Sequence, residues 1–184
     1  MDELKLWALL YKEICELFVA QLQSIEWIDL WHNQVGFLED EHPFPTPAAF
    51  LAFRILGEPQ DLGINAQRIV VQLDVYFFYE TFLDTFDGGY NQEGALTYLN
   101  TITDIHALLH GSSGINYSEC KRVGFGPVDT GSAGNLYRQT FTMLVEDASA
   151  SPDFVGMIPG DVSIEQGGGP DVEIERPFVI PSTT

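Results

Sequence analysis

Residues 68–80 read RIVVQLDVYFFYE. In an extended chain Ile69, Val71, Leu73, Val75, Phe77 and Tyr79 share one face, and Arg68, Val70, Gln72, Asp74, Tyr76, Phe78 and Glu80 share the other. That period of two is the mark of a strand. At roughly 3.3 Å per residue the strand would be about 43 Å long, more than most strands of a small domain. The first face is apolar throughout and belongs to a core. The second combines an aromatic pair with an amide and a carboxylate, which suits neither a plain core nor a plain surface.

The flanking segments set this strand in an α+β frame. Upstream, residues 2–23 have the period of a helix, with Trp7, Leu10, Ile14, Phe18 and Leu22 in one stripe, Leu17 beside it, and Asp2 and Glu3 at the positive end of its dipole. Pro43, Pro45 and Pro47 then exclude a helix and predict an extended approach to a short strand, AAFLAFRI (48–55). GEPQDLG (57–63) reads as a turn. Downstream, residues 91–111 predict a second helix with Leu96, Leu99, Ile102, Ile105 or His106, and Leu109 in its stripe, Asn91 as N-cap and Gly111 as C′ residue. KRVGFGPVD (121–129) and NLYRQTFTMLVED (135–147) are the last two strands. The expected order is α-β-β-α-β-β, a mainly antiparallel four-stranded sheet under two main helices. Trp7, Ile14, Phe18, Leu73, Val75, Leu99, Ile102 and Phe141 are expected in one core.

After Asp147 the chain turns rich in Gly, Pro and Ser, so a domain of residues 1–147 is expected, followed by an extended arm, 148–184. The arm's six acids face one base, Arg176, yet apolar residues recur along it. A disordered tail and an arm that orders on a neighbour both fit. In the second case VEIERPFVIP could add a strand to another sheet edge, with Val172, Ile174, Phe178 and Ile180 as contacts.

The 184 residues hold 27 acids against 8 bases, a net charge of −19. Phosphate binding needs clustered Lys and Arg, so nucleic-acid binding and an acidic membrane surface are both disfavoured. No run of 18 apolar residues predicts a membrane span, and the acidic start MDELKLW is not a secretory signal. Cys15 and Cys120 do not make a disulfide framework, and a reducing compartment is expected.

A search for chemistry returns little. His106 and His110 stand four apart on one helix face but lack a third ligand and the Glu of H-E-x-x-H. His106 is expected against the sheet and His110 at the helix end. Asp84, Asp87, Asn91 and Glu93 lie close together, but Phe86 stands where a calcium loop needs an oxygen. HGSSG is not G-x-S-x-G, and no phosphate-binding glycine loop follows a strand. The expectation is a protein that is not an enzyme, with no metal and no cofactor.

The element order, carried by HPFPTPAAFLAFRI, RIVVQLDVYFFYE, the 91–111 helix and NLYRQTFTMLVED, resembles the tail terminator and tail completion proteins of long-tailed bacteriophages and prophages. The resemblance covers residues 1–147 and departs at the arm; a head-closure or neck protein of similar fold fits as well. It implies a structural virion protein that closes into a hexameric ring, ends the tail tube and joins it to the head connector. Its partners would be its own copies, the tail tube protein and the connector, with no membrane. Its place would be the virion, and the host cytoplasm during assembly. DNA would pass without specific binding, because six copies would carry about −114 and repel phosphate. In such a ring Gln72, Asp74, Tyr76 and Phe78 would form a subunit interface, unless the chain's own helices or arm cover that face. An acidic DNA mimic or another binding module is the alternative.

Overall fold

A computed structural model describes residues 4–37, 44–79, 84–129 and 135–151. In chain order it contains α1 (Leu6–Gln21), β1 (Trp27–Leu30), a 3-10 turn (Gln34–Phe37), β2 (Ala48–Gly63), β3 (Ala66–Tyr79), α2 (Gln92–Leu109), β4 (Ser118–Pro127) and β5 (Asn135–Asp147). The chain divides into Met1–Pro152 and Asp153–Thr184, five residues beyond the expected boundary. Val172, Ile174, Phe178 and Ile180 lie outside the described residues, as do Asp2 and Glu3.

The quoted stretch is the middle strand of a five-stranded sheet ordered β1-β2-β3-β5-β4. β3 pairs antiparallel with β2 on one side and with β5 on the other, in unbroken register from Gln67↔Asp147 to Tyr79↔Asn135. The class is α+β with two helices, as expected, but the sheet is mixed and has a fifth strand. Trp27–Leu30, read as part of a crossing segment, pairs parallel to Ala48–Leu51. Four residues are too few for a periodicity to register, and their pairing comes from tertiary context.

The expected turn GEPQDLG is also strand, so the hairpin is longer than the sequence pattern suggests. The register slips between Leu56 and Gln60, where Gly57 takes a left-handed φ of 68° and Pro59 stands in the irregular stretch. A bulge absorbs both residues without ending the pairing. The chain reverses instead at Ile64–Asn65, whose φ values of 52° and 58° have the sign of a type I′ hairpin turn. β5 has the expected limits, and β4 begins three residues earlier than expected.

Both helices contribute to one face of the sheet. Leu10, Ile14 and Phe18 of α1 and Tyr98, Ile102, Ile105 and Leu109 of α2 form one cluster with Ile69, Val71, Leu73, Val75 and Phe77 of β3 and Phe141, Met143 and Val145 of β5. Two expected core members are not in it. Trp7 is 40% exposed and Leu99 47% exposed. Trp7 lies near the sheet margin, its ring 6.4 Å from Phe53, and Leu99 is turned to one side of the buried stripe, where its neighbour Tyr98 takes the core position. Gly111 has a φ of 83°, as a C′ residue requires, and Asn91 stands at the N-cap without a side-chain cap bond.

A carboxylate ties α1 to the loop after α2. Glu13 Oε1 accepts from the Ile115 N–H at 2.6 Å, and Oε2 accepts from Asn116 N and Nδ2 at 3.1 and 2.8 Å. A Cβ on Gly114 would collide with that carboxylate and with the Tyr117 ring, so the approach requires glycine there.

Candidate interaction surface

The residues expected at a subunit interface lie on the sheet face away from the helices, and the chain itself covers part of them. Phe78 is buried in a second cluster with Val35, Ala48, Phe50 and Leu136, and Trp31, Phe44, Tyr76 and Val128 pack against that cluster. Tyr76 stacks on Trp31 with ring centroids 4.0 Å apart and planes 8° apart. Phe44 meets Phe50 and Phe78 edge-on at 5.1 and 6.0 Å. The rings assigned to a neighbouring copy are therefore satisfied within one chain by residues near the first proline run. That cover has no period in sequence, because irregular segments have none.

Gln72 and Asp74 are buried by hydrogen bonding. Arg54 Nη2 donates to Gln72 Oε1 at 2.8 Å, and Gln72 Nε2 donates to Asp74 Oδ2 at 2.7 Å. Thr140 donates to Asp74 Oδ1 at 2.6 Å, with Arg138 Nε 4.0 Å from the same oxygen. The pairings Arg54↔Gln72, Ala52↔Asp74 and Asp74↔Thr140 put these side chains on one face. Such bonds offset the cost of burying the polar side chains. With Arg68 and Lys121, whose register partners are Glu146 and Thr142, four of the chain's eight bases project on this face. Arg68 pairs with Glu146 at 2.5 Å and Lys121 with Glu119 at 3.5 Å, whereas Arg54 has no carboxylate partner among the described residues.

The two margins of the sheet differ. β4, at one margin, carries exposed Val123 and Phe125, slips register twice, holds Gly124 and Gly126 and ends at Pro127. Bulges and proline are the usual guards against strand addition. The other margin has its bulge and proline only beyond Leu56, at Gly57 and Pro59. β1 covers β2 only as far as Leu51, where Trp31 N donates to Leu51 O at 2.9 Å. From Ala52 to Leu56 the outer side of β2 has no strand partner among the described residues, although its register with β3 is regular there. A groove of about 500 Å³ lies at this point, lined by Trp7, Leu30, Trp31, Phe53, Arg54 and Ile55 among others. Leu30 is 49% and Ile55 43% exposed.

The residues singled out for chemistry are placed structurally. His106 and His110 have ring centroids 4.9 Å apart, and His110 Nδ1 accepts from the Arg122 N–H at 3.0 Å, which joins the end of α2 to β4. Partial burial, then the charge of Arg122 and the neighbouring His110, hold the His106 pKa below the usual histidine value. Asp87 accepts from Gln92 Nε2 at 2.7 Å, and Gln92 Oε1 accepts from Gly88 N at 3.0 Å, so this acidic loop is organised by an amide. Among the described residues no three His, Cys, Asp or Glu side chains converge as a metal requires. Cys15 and Cys120 are free thiols; burial pushes Cys120 up to about 11. Gln139, a polar residue within an apolar strand face and so without a sequence signal, is buried under α2, donates to Ile102 O at 2.7 Å and accepts from Arg122 at 3.1 Å. Among the described residues no helix is long and apolar enough to cross a membrane.

Comparison with protein-family models and with curated protein sequences returns no match.

Proposed function

We propose that the chain is a structural subunit of the bacteriophage tail, of the tail-terminator type. Copies assemble head to tail into a six-membered ring that ends the tail tube and meets the head connector, or a head-closure protein, leaving an acidic passage for DNA. The observation that carries this reading is the contrast between the two sheet margins. One is guarded by bulges and Pro127 along its length, whereas on the other the stretch Ala52–Leu56, ahead of the bulge at Gly57 and Pro59, is regular, has no strand partner among the described residues and is edged by Trp7, Leu30 and Ile55. Unlike margins on one subunit favour a heterologous contact, and a heterologous contact that closes on itself gives a ring. Exposed aromatic and aliphatic side chains around a groove mark a protein partner. The net charge of −19 suits a wall past which DNA slides.

Native mass spectrometry tests the reading. A species at six times the 20.5 kDa of one chain, ring-shaped in electron micrographs, is expected. A monomer at every concentration up to the millimolar range would remove it and favour the acidic mimic.

A further inference from the structure

The groove beside β2 has two chemically different walls. Leu51 O points outward to Trp31 N, and backbone direction repeats every second residue, so the N–H and C=O groups of Phe53 and Ile55 point outward as well. Leu51 faces the helices, as its place in the helix-side cluster shows, so Phe53 and Ile55 present their side chains on that side, next to Leu30 and Trp7. Ala52 and Arg54 present theirs on the opposite side, where Arg54 donates to the neutral Gln72 amide and has no carboxylate partner among the described residues. A strand that continued the ladder past Trp31 would therefore meet apolar surface on one face and an arginine without a carboxylate on the other.

Two stretches of this chain alternate in that pattern, DVSIE (161–165) with two carboxylates and DVEIE (171–175) with three, and the second has the greater charge to set against an arginine. Residues 171–176 read DVEIER, with carboxylates at Asp171, Glu173 and Glu175 and aliphatic side chains at Val172 and Ile174. As a strand it would turn Val172 and Ile174, with Arg176 at the end, to one side and the three acids to the other. We propose that residues 171–176 of a second copy add to the outer edge of β2 at Ala52–Leu56. Val172 and Ile174 then pack against Trp7, Leu30 and Ile55, and the acids face Arg54. The inference rests on the assembly reading above and identifies the contact that joins neighbouring copies. Reach permits it: residues 152–170 can span about 60 Å when extended, more than the roughly 53 Å of the 16-residue β2. Donor and acceptor surfaces differ, so each copy gives one strand and receives one, as a head-to-tail ring requires.

The test is hydrogen exchange on the full-length protein, read by mass spectrometry together with light scattering, in concentrated solution and after dilution. Amides in 52–56 and in 171–176 should be protected together in the assembled protein and lose protection together on dilution. Arg54→Glu should speed exchange of both segments at least tenfold and reduce assembly, and Glu173→Arg with Glu175→Arg in that background should restore both. Ile55→Asp, at an exposed position that leaves the core intact, should abolish protection of 171–176. Assembled rings in which 171–176 exchange at the unstructured rate would overturn the seat while leaving the ring. Protection unchanged by dilution would mean that the segment folds back on its own chain, which overturns exchange between copies. A monomer at every concentration would overturn the ring and the seat together.

Discussion

Tyr98 and Leu99 are adjacent in α2, and the fold treats them oppositely. Tyr98 is buried, its ring 5.0 Å from Phe77, and its hydroxyl donates to the carbonyls of Phe77 at 3.2 Å and Asn135 at 3.3 Å. The helix has two apolar stripes in sequence, and the one chosen from leucine spacing is wrong at its first turn. A tyrosine reads as amphipathic until a carbonyl partner is known, and that partner comes from another element. The stripes merge at Ile102, Ile105 and Leu109, so the lower half of the helix was legible. Ile102→Ala is therefore expected to cost about 2–5 kcal/mol and Leu99→Ala within about 0.5–1 kcal/mol, read by urea denaturation. His106 gives a pH signature at the same scale. Its folded pKa lies below the unfolded value, so the unfolded chain binds more protons as pH falls through the window beneath about 6.5. Stability contributed by the neutral ring is full above that pH and lost below it. An NMR titration should place the His106 midpoint below 6.5, and His106→Gln should flatten the acid limb of the stability profile.

At the scale of elements, the longest hairpin was half legible. β3 declared itself through strict alternation, and β5 through the same alternation. The far half of β2 did not, because Gly57 and Pro59 signal a turn and only the bulge shows that they do not make one. β1 was missed for its brevity. The junction of α1 with the loop after α2 left no sequence signal, since Glu13 and Asn116 are 103 positions apart. Glu13→Ala is expected to cost about 1–3 kcal/mol, because three donors lose a charged acceptor at a half-buried site. Gly114→Ala should destabilise the wild type and destabilise the Glu13→Ala protein less, since part of the collision is with the Glu13 side chain. A double-mutant cycle in chemical denaturation should give a coupling of about 0.5–3 kcal/mol; additive costs would mean that the loop shifts freely.

For the whole molecule, charge and shape act against each other. Copies at −19 repel, and at 0.01 M salt the screening length of about 30 Å leaves that repulsion acting across a subunit. At 0.15 M it shrinks to about 8 Å, and only contacts at the groove keep their electrostatics. Self-association should therefore be weakest at the lowest salt and strengthen toward physiological ionic strength, as sedimentation velocity at several salt concentrations would show. The middle position of β3 has a consequence for synthesis. Its partner on one side, β2, precedes it and joins through a two-residue turn, so the hairpin can close as it leaves the ribosome. Its partner on the other side ends at Asp147, 68 residues after Tyr79. At about 5–20 residues per second the nascent chain carries that naked flank of β3 for roughly 3–14 s. Through that interval a run of Val, Leu and Phe backbone waits unpaired beside other nascent chains on the same message, so yield in the host should fall when translation between residues 80 and 135 is slowed.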